Sequence, residues 1–142
     1  MDNLTHSLFG LTLARTPLRR AGRGAAAALL LASNAPDIDI VTTAGGALPY
    51  LQWHRGPTHG PLGVVGLASV VAAIVWAGDR WQSSRRGVRS DASWLALWGI
   101  SIVGVLGHVL LDLPTSYGTR PLSPWSWHWY GLDWLPIVDV YL

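Results

Sequence analysis

Residues 92–112, ASWLALWGISIVGVLGHVLLD, carry no charged side chain before the final Asp112. As an α-helix with a rise of about 1.5 Å per residue, the uncharged part Ala92–Leu111 covers roughly the 30 Å hydrocarbon core of a bilayer. Residues Pro61–Gly78 form a second uncharged stretch that is slightly shorter. The two stretches predict two membrane-spanning helices.

The composition is typical of a membrane protein rather than of a soluble domain. Half of the 142 residues are apolar and 13% are charged, whereas a soluble domain spends about a quarter of its residues on charge. The length suits a single domain, 1–142, and the absence of Cys excludes disulfides and thiolate metal sites. A net charge of +2 with segregated Arg residues does not favour a nucleic-acid partner. The expected partner is the lipid bilayer.

Two further apolar segments, Leu4–Ala14 and Gly24–Ala35, are each too short to span a bilayer alone. We therefore predict an all-α fold, a multi-pass membrane helical bundle with two long spanning helices and two shorter N-terminal helices. The residues Thr115–Tyr130, rich in Gly, Pro and Trp, predict an ordered interfacial loop after the last span. The chain stops within the apolar run 132–142, which leaves open a C-terminus that is cut short.

The basic residues predict the topology. Two connections, one between the two N-terminal segments and one between the two spans, hold eight of the ten Arg: Arg15, Arg19, Arg20, Arg23, Arg80, Arg85, Arg86 and Arg89. The positive-inside rule places these connections in the cytoplasm. The opposite end of the segments carries seven His and Asp residues: His6, Asp37, Asp39, His54, His59, His108 and Asp112. The sequence therefore predicts a polar site on the non-cytoplasmic side.

The spacing of these residues gives each group two interpretations. His108 and Asp112 are four residues apart, so they project from one face of a helix and either share a metal ion or hydrogen-bond to each other within the bundle. Asp37 and Asp39 point to the same side if their backbone is extended, and otherwise they belong to a turn that ends a helix.

The remaining His residues lie in two places. His54 and His59 bracket a Gly-Pro pair, so the loop either brings both imidazoles together or is an ordinary connection. His6, beside Asn3, is either a ligand or part of the helix start. The gathering of all seven groups at one end favours a metal site over the separate local alternatives, since chance would scatter them among both ends.

The chemistry of the ligand set is that of a hydrolytic metal site. Imidazoles and carboxylates bind divalent ions, and zinc is favoured, with manganese or iron as alternatives because without Cys the ligand types do not separate them. Arg55 and Arg120 lie at the same end and have the fork geometry that binds phosphate or carboxylate. With Asp39, they are the predicted catalytic residues. His128 lies in an aromatic stretch typical of a membrane interface and is left out of the site.

Four blocks of the sequence resemble, in order, the signature of the YdjM/YbcI-type inner-membrane proteins, described by inference as metal-dependent hydrolases: Asp2-Asn3-Leu4-Thr5-His6, Pro36-Asp37-Ile38-Asp39, His54-Arg55-Gly56-Pro57-Thr58-His59, and His108-Val109-Leu110-Leu111-Asp112 followed by Thr115-Ser116-Tyr117-Gly118-Thr119-Arg120. The resemblance covers almost the whole chain. It implies a bacterial or archaeal protein of the plasma (inner) membrane whose His and Asp blocks form the metal site. Gly60 departs from the pattern, since Ser is expected there.

Three functions are compatible with these features. The leading hypothesis is a membrane-bound metal-dependent hydrolase of a phosphoester or ester at the membrane surface, with a lipid as one candidate substrate. The alternative is a divalent-cation or proton-coupled transporter, or another ion-binding membrane protein. The third is a structural protein in which the site only clamps helices together.

Overall fold

A computed structural model describes residues 2–135 of the chain, which form α-helices joined by 3-10 segments and loops. The elements are α1 (Asn3–Leu13), a 3-10 segment (Pro17–Ala21), α2 (Ala25–Ala32), a second 3-10 segment (Ala35–Gly45), α3 (Ala47–Trp53), α4 (Pro61–Arg85) and α5 (Trp94–Asp112). The predicted all-α bundle is confirmed. Residues 136–142, most of the last apolar run, lie outside the described part of the chain.

The region between α2 and α4 differs from the expectation. Helix α2 ends at Ala32, and the segment Ala35–Gly45 is a 3-10 helix, so of the two interpretations of Asp37 and Asp39 the extended backbone is wrong. Pro36 stands at the start of this 3-10 helix, where its missing N–H is not needed. Local hydroxyl bonds such as Thr42 Oγ1 to Asp39 O, at 2.7 Å, satisfy carbonyls along it. The side chains of Asp37 and Asp39 therefore project from a 3-10 helix.

Helices α4 and α5 match the two predicted spans. With 25 and 19 residues, both are long and apolar enough to cross a membrane. Helix α2 and the following 3-10 segment, bent by 41° relative to each other, are also long and apolar enough as a pair, so the described chain has two candidate spans, or three if the bent pair is one span. Large apolar side chains such as Val70, Ile74 and Leu110 are exposed on the outside of the spans, as is typical of helices in lipid.

Small residues allow the helices to pack closely around α2. Ala28 and Ala32 of α2 are fully buried. A Cβ added to Gly10 of α1 would lie 2.9 Å from the carbonyl oxygen of Leu29, and one added to Gly104 of α5 would lie 2.7 Å from Ala32 Cβ. These contacts leave no room for a methyl group. The close packing brings the ends of α1, α2 and α5 next to one another.

The Arg-rich segments meet at one end of the bundle, where Arg80 and Arg85 belong to the last two turns of α4 rather than to the connection predicted after it. Arg23, from the connection before α2, donates to Ser83 Oγ at 3.2 Å and lies 3.7 Å from Asp79 Oδ1, both near the end of α4. Because α4 begins at Pro61, these residues are about 30 Å along the helix from its start, at about 1.5 Å per residue. The polar end predicted at the start of α4 is therefore separated from the Arg-rich end by about the thickness of a bilayer.

The residues after α5 form an ordered loop that covers the polar end. Thr119 and Tyr130 exchange two backbone hydrogen bonds, at 2.8 and 2.9 Å, and Arg120 N–H donates to Arg55 O at 2.9 Å. The loop also explains the departure at position 60. A Cβ on Gly60 would overlap the carbonyl oxygen of Ser123, so a Ser at this position does not fit beneath the loop.

Candidate metal centre

Four side chains from three parts of the chain converge at the end of the bundle opposite the Arg-rich connections. One ligand-type atom each from Asp37, His59, His108 and Asp112 lies within 4.8 Å of those of the other three. Asp37 comes from the 3-10 segment after α2, His59 from the loop before α4, and the other two from the last turns of α5. We call these four residues the metal cluster. Their convergence results from the packing of α2, α4 and α5.

Asp112 lies at the centre of the metal cluster. Its Oδ2 lies 3.4 Å from Nε2 of both His59 and His108, and its Oδ1 lies 3.3 Å from Nε2 of His6. His6, on the first turn of α1, stacks on His108 with ring centroids 3.8 Å apart. The i,i+4 spacing of His108 and Asp112 accounts for one of these contacts, and the fold supplies the others. A carboxylate is thus surrounded by three imidazoles.

Backbone geometry sets the tautomer of His108. Its Nδ1 lies 2.7 Å from the carbonyl oxygen of Ser33 at the end of α2. Because a carbonyl oxygen can only accept, Nδ1 carries the proton and donates it. The lone pair of the neutral ring is therefore on Nε2, which lies 3.5 Å from Asp37 Oδ1. This is the arrangement of a metal-binding His whose other nitrogen is held by the protein.

The hydroxyl of Thr58 sets the tautomer of His59 in a similar way. Thr58 Oγ1 donates to Asp39 Oδ2 at 3.0 Å, so its oxygen accepts from Nδ1 of His59 at 2.9 Å. The lone pair of His59 is then on Nε2, which faces Asp112. Burial lowers the pKa of His59, and likewise that of His6, mainly by desolvating the charged ring. Burial thus favours the neutral form of both rings, which is the form that binds metal.

The distances fit a bound cation better than direct hydrogen bonds. The Nε2 atoms of His6, His59 and His108 are buried, and within the part of the chain described they face carboxylate oxygens without a hydrogen bond of ordinary geometry. Their separations of 3.3–3.5 Å from carboxylate oxygens exceed the roughly 2.7–3.2 Å of an N–H···O bond. Ligands placed about 2.0–2.2 Å from a tetrahedral ion lie about 3.3–3.6 Å from one another. The buried His and Asp residues can therefore hold a metal ion.

Asp39 and His54 lie one layer behind the metal cluster. Asp39 accepts from the backbone N–H of Arg55 at 2.7 Å and lies 2.9 Å from Nδ1 of His54. The ring of His54 stacks on Tyr50, with centroids 4.5 Å apart. These contacts tie the loop before α4 to the 3-10 segment. Of the seven predicted ligands, these two contact the loop rather than the centre of the site.

The two predicted anion-binding Arg residues have different surroundings. Arg55 is 3% exposed, and its Nε lies 3.3 Å from Asp112 Oδ2 while its Nη1 donates to Thr115 Oγ1 and Gly118 O. Arg120 donates to Gln52 O at 2.5 Å and lies over the rings of Trp127 and Trp129. The structure thus brings Arg55 to the metal cluster and places Arg120 in the aromatic loop.

His128 is not part of the predicted site, and three groups that contact predicted site residues are not expected from the sequence. His128 is exposed and packs against Tyr130, with centroids 4.8 Å apart. The missed groups are the Ser33 carbonyl and the hydroxyls of Thr58 and Thr115. The two Thr residues lie inside quoted blocks, so a search for hydroxyls next to His and Asp would have found them. The Ser33 carbonyl belongs to the backbone and leaves no sequence signal.

Comparison with known proteins agrees with the sequence blocks. The chain is similar to a protein of Bacillus subtilis (strain 168) described as uncharacterized protein YfhP, with 28% identity over 150 residues that cover 100% of this chain and 43% of the relative. The chain therefore spans less than half the length of that curated relative. No solved structure matches it. The profile of the YdjM inner membrane protein family matches residues 1–142, the whole chain. The chain belongs to the YdjM inner membrane protein family, as its blocks of His and Asp residues predict.

Proposed function

We propose that this protein is a membrane-bound metal-dependent hydrolase that cleaves a phosphoester or ester at the membrane surface. The observation that carries the proposal is the convergence of three buried Nε2 atoms on the carboxylates of Asp37 and Asp112. Two of these imidazoles are oriented by hydrogen bonds that their Nδ1 atoms donate, from His108 to the Ser33 carbonyl and from His59 to the Thr58 hydroxyl. A purely structural polar network would instead pair each nitrogen with a donor or an acceptor at hydrogen-bonding distance.

The ligands we propose are the metal cluster together with His6. Zinc is favoured because imidazole nitrogens and carboxylate oxygens are among its usual ligands, and manganese or iron is the alternative. A bound divalent ion supplies Lewis acidity and a nucleophilic water at neutral pH. Arg55 offsets the negative charge of Asp112, which keeps this carboxylate available as a ligand. We assign Asp39 a positioning role, since it holds His59 through Thr58.

The reaction requires access for water and substrate, and Asp37 provides it. Its side chain is 18% exposed, whereas His108 and Asp112 are fully buried. Asp37 therefore marks the opening through which a scissile bond reaches the metal cluster. Arg55 lies on the buried side of the cluster, where its charge favours negative charge that develops in the transition state. Arg120 contacts the aromatic loop, and we assign it no role in bond cleavage.

The proposed site lies on the non-cytoplasmic side of the membrane. The Arg-rich connections are at the other end of the bundle, and basic connections stay in the cytoplasm. A transporter is less well supported, because a transport pathway needs ionisable groups along its depth. Between Ala92 and Leu111 the chain has no charged residue, and His108 is the one His in that range. The ionisable groups are thus confined to the two ends of the spans.

Metal content tests the proposal. We expect the wild-type protein, purified in detergent without chelator, to hold metal in stoichiometric amount by mass spectrometry. His108→Ala should abolish this binding, whereas the matched control His128→Ala removes an exposed imidazole and should leave it unchanged. The metal-loaded protein should hydrolyse a soluble aryl phosphate or aryl ester, and the His108→Ala variant should not. Folded wild type that takes up no divalent metal, or that hydrolyses equally well without it, would overturn the proposal.

A further inference from the structure

The metal cluster is sealed on most of its surface. His59, His108 and Asp112 are at most 1% exposed, so none of them meets the surroundings directly. Asp37 is the exception in the cluster, with 18% of its side chain exposed. A substrate that reaches the cluster in this structure therefore arrives beside Asp37. The surface around Asp37 indicates what kind of molecule this substrate is.

Asp37 lines a groove of about 420 Å³, which falls within the roughly 300–1,000 Å³ of ligand pockets. The groove has a polar end formed by Asn3, Asn34 and Asp37 and an otherwise apolar wall formed by Leu31, Ala35, Ile38, Leu67, Val70, Val71 and Ile74. Asn3 is exposed, and its amide can donate to a phosphate or ester oxygen. The groove thus joins a polar end at the cluster to a long apolar wall.

The apolar wall extends into the membrane. Leu67 and Ile74 lie 6 and 13 residues after Pro61, the first residue of α4, which places them about 9 and 20 Å along the helix. Because α4 is long and apolar enough to span the bilayer, this depth lies within a hydrocarbon core about 30 Å thick. Val70 and Ile74 are 55% and 60% exposed. The groove is therefore open toward lipid chains rather than toward water.

A second apolar groove provides a comparison. It has a volume of about 380 Å³, lies between α4 and α5, and includes Val65, Leu106 and Leu110. It touches the cluster at His59, which is 1% exposed. Apart from His59, which is buried, the wall of this second groove is apolar. It therefore serves as a matched control surface that faces lipid without giving access to the cluster.

We propose that the substrate is an acyl-chain lipid that enters from the bilayer, with its acyl chain in the groove beside Val70 and its phosphoester or ester bond at Asp37. This inference rests on the proposed hydrolase function and names its substrate class. In the reaction, the oxygen of water forms a bond to phosphorus or to the acyl carbon, the bond to the leaving alcohol oxygen breaks, and the alcohol takes up a proton. The continuity of the groove with the one exposed cluster residue carries the proposal.

Photo-crosslinking tests where the acyl chain lies without depending on turnover. Wild-type protein is placed in phosphatidylethanolamine vesicles that contain phosphatidylglycerol with a diazirine on one acyl chain, and crosslinked peptides are mapped by mass spectrometry. We expect crosslinks concentrated on Leu67, Val70 and Ile74. Val70→Trp, which fills the groove, should reduce them at least tenfold, and Leu110→Trp in the second groove should not. Equal labelling of both grooves in the wild type would overturn the inference.

Turnover separates this inference from the proposed function. In Val70→Trp, the ratio of kcat/KM for the vesicle lipid to kcat/KM for a soluble aryl phosphate or aryl ester should fall at least tenfold, whereas Leu110→Trp should leave this ratio unchanged. If the soluble compounds are hydrolysed but Val70→Trp leaves lipid turnover unchanged, the lipid inference fails and the hydrolase proposal stands. If the lipid labels the groove but no compound is hydrolysed, the proposed function fails, and the groove remains a lipid-binding site.

Discussion

Both ends of the helical bundle bury an Asp near an Arg, yet the two ends have different chemistry. At the Arg-rich end, Asp79 accepts from the hydroxyl of Ser90 at 2.5 Å and lies 3.7 Å from Arg23, whose side chain is 44% exposed. At the other end, Asp112 is fully buried and lies 3.3–3.4 Å from the Nε2 atoms of three imidazoles. Burial of a carboxylate alone therefore does not indicate a metal site. The groups around the carboxylate make the difference: a hydroxyl and an Arg hold Asp79 in a structural contact, whereas the imidazoles around Asp112 form a candidate ligand set with it.

The strongest test of this comparison removes one negative charge from each end. Asp112→Asn should lose metal binding, because an amide is a poor ligand and the charge that balances a divalent ion is gone. Asp79→Asn, the matched variant at the other end, should keep the metal content of the wild type. Metal content and circular dichroism would be measured on both. Equal metal content in the two variants would contradict the distinction between the ends.

Removal of the metal should destabilise the protein through the site end alone. At a free metal concentration 100 times the dissociation constant, a ligand that binds only the folded state contributes about 2.7 kcal/mol. Chelation should therefore lower the Tm of the wild type. The Tm of Asp112→Asn should not change on chelation, since this variant has no metal to lose. A wild-type Tm that is insensitive to chelator would contradict the expectation.

A smaller effect is expected from the layer behind the ligands. Thr58→Val keeps the side-chain shape but removes the oxygen that accepts from Nδ1 of His59, so the ring is no longer held in the metal-binding tautomer. Loss of such an outer partner weakens metal affinity about 10- to 100-fold. Thr58→Ser retains the hydroxyl and should restore the affinity. Metal titration would measure both, and wild-type affinity in Thr58→Val would exclude a role for this hydroxyl.

The smallest effect is expected at the Arg-rich end. Ser90→Ala removes the hydroxyl that donates to Asp79, and the loss of a typical hydrogen bond costs about 0.5–1.5 kcal/mol. The loss should appear as a modest decrease in Tm with no change in metal affinity. Thermal unfolding with and without metal would measure it. A change in metal affinity would mean that the two ends are coupled through α4 and α5.

Much of the architecture could be predicted from local patterns. The absence of charge over Ala92–Leu111 predicts α5 because a charged side chain in the hydrocarbon core is costly. The spacing of His108 and Asp112 predicts a shared helix face, which the structure has. The segments that the sequence missed, Ala35–Gly45 and α3, are short and lack the long apolar pattern on which such predictions depend. Pro36 indicates the end of α2 but not the tight helix that follows.

The candidate site, like the fold, could be predicted only in part from the sequence. The sequence alone determined the membrane character, the two spans, and the residue types available as ligands, because composition and helical periodicity are local properties. Only the tertiary structure decided which of these residues meet. His6, Asp37, His59 and Asp112 lie far apart in sequence, and they approach because Gly10 and Gly104 let α1 and α5 pack against α2. The same packing brings the Ser33 carbonyl to His108, since contacts between backbone and side chain across helices depend on packing distance rather than on sequence spacing.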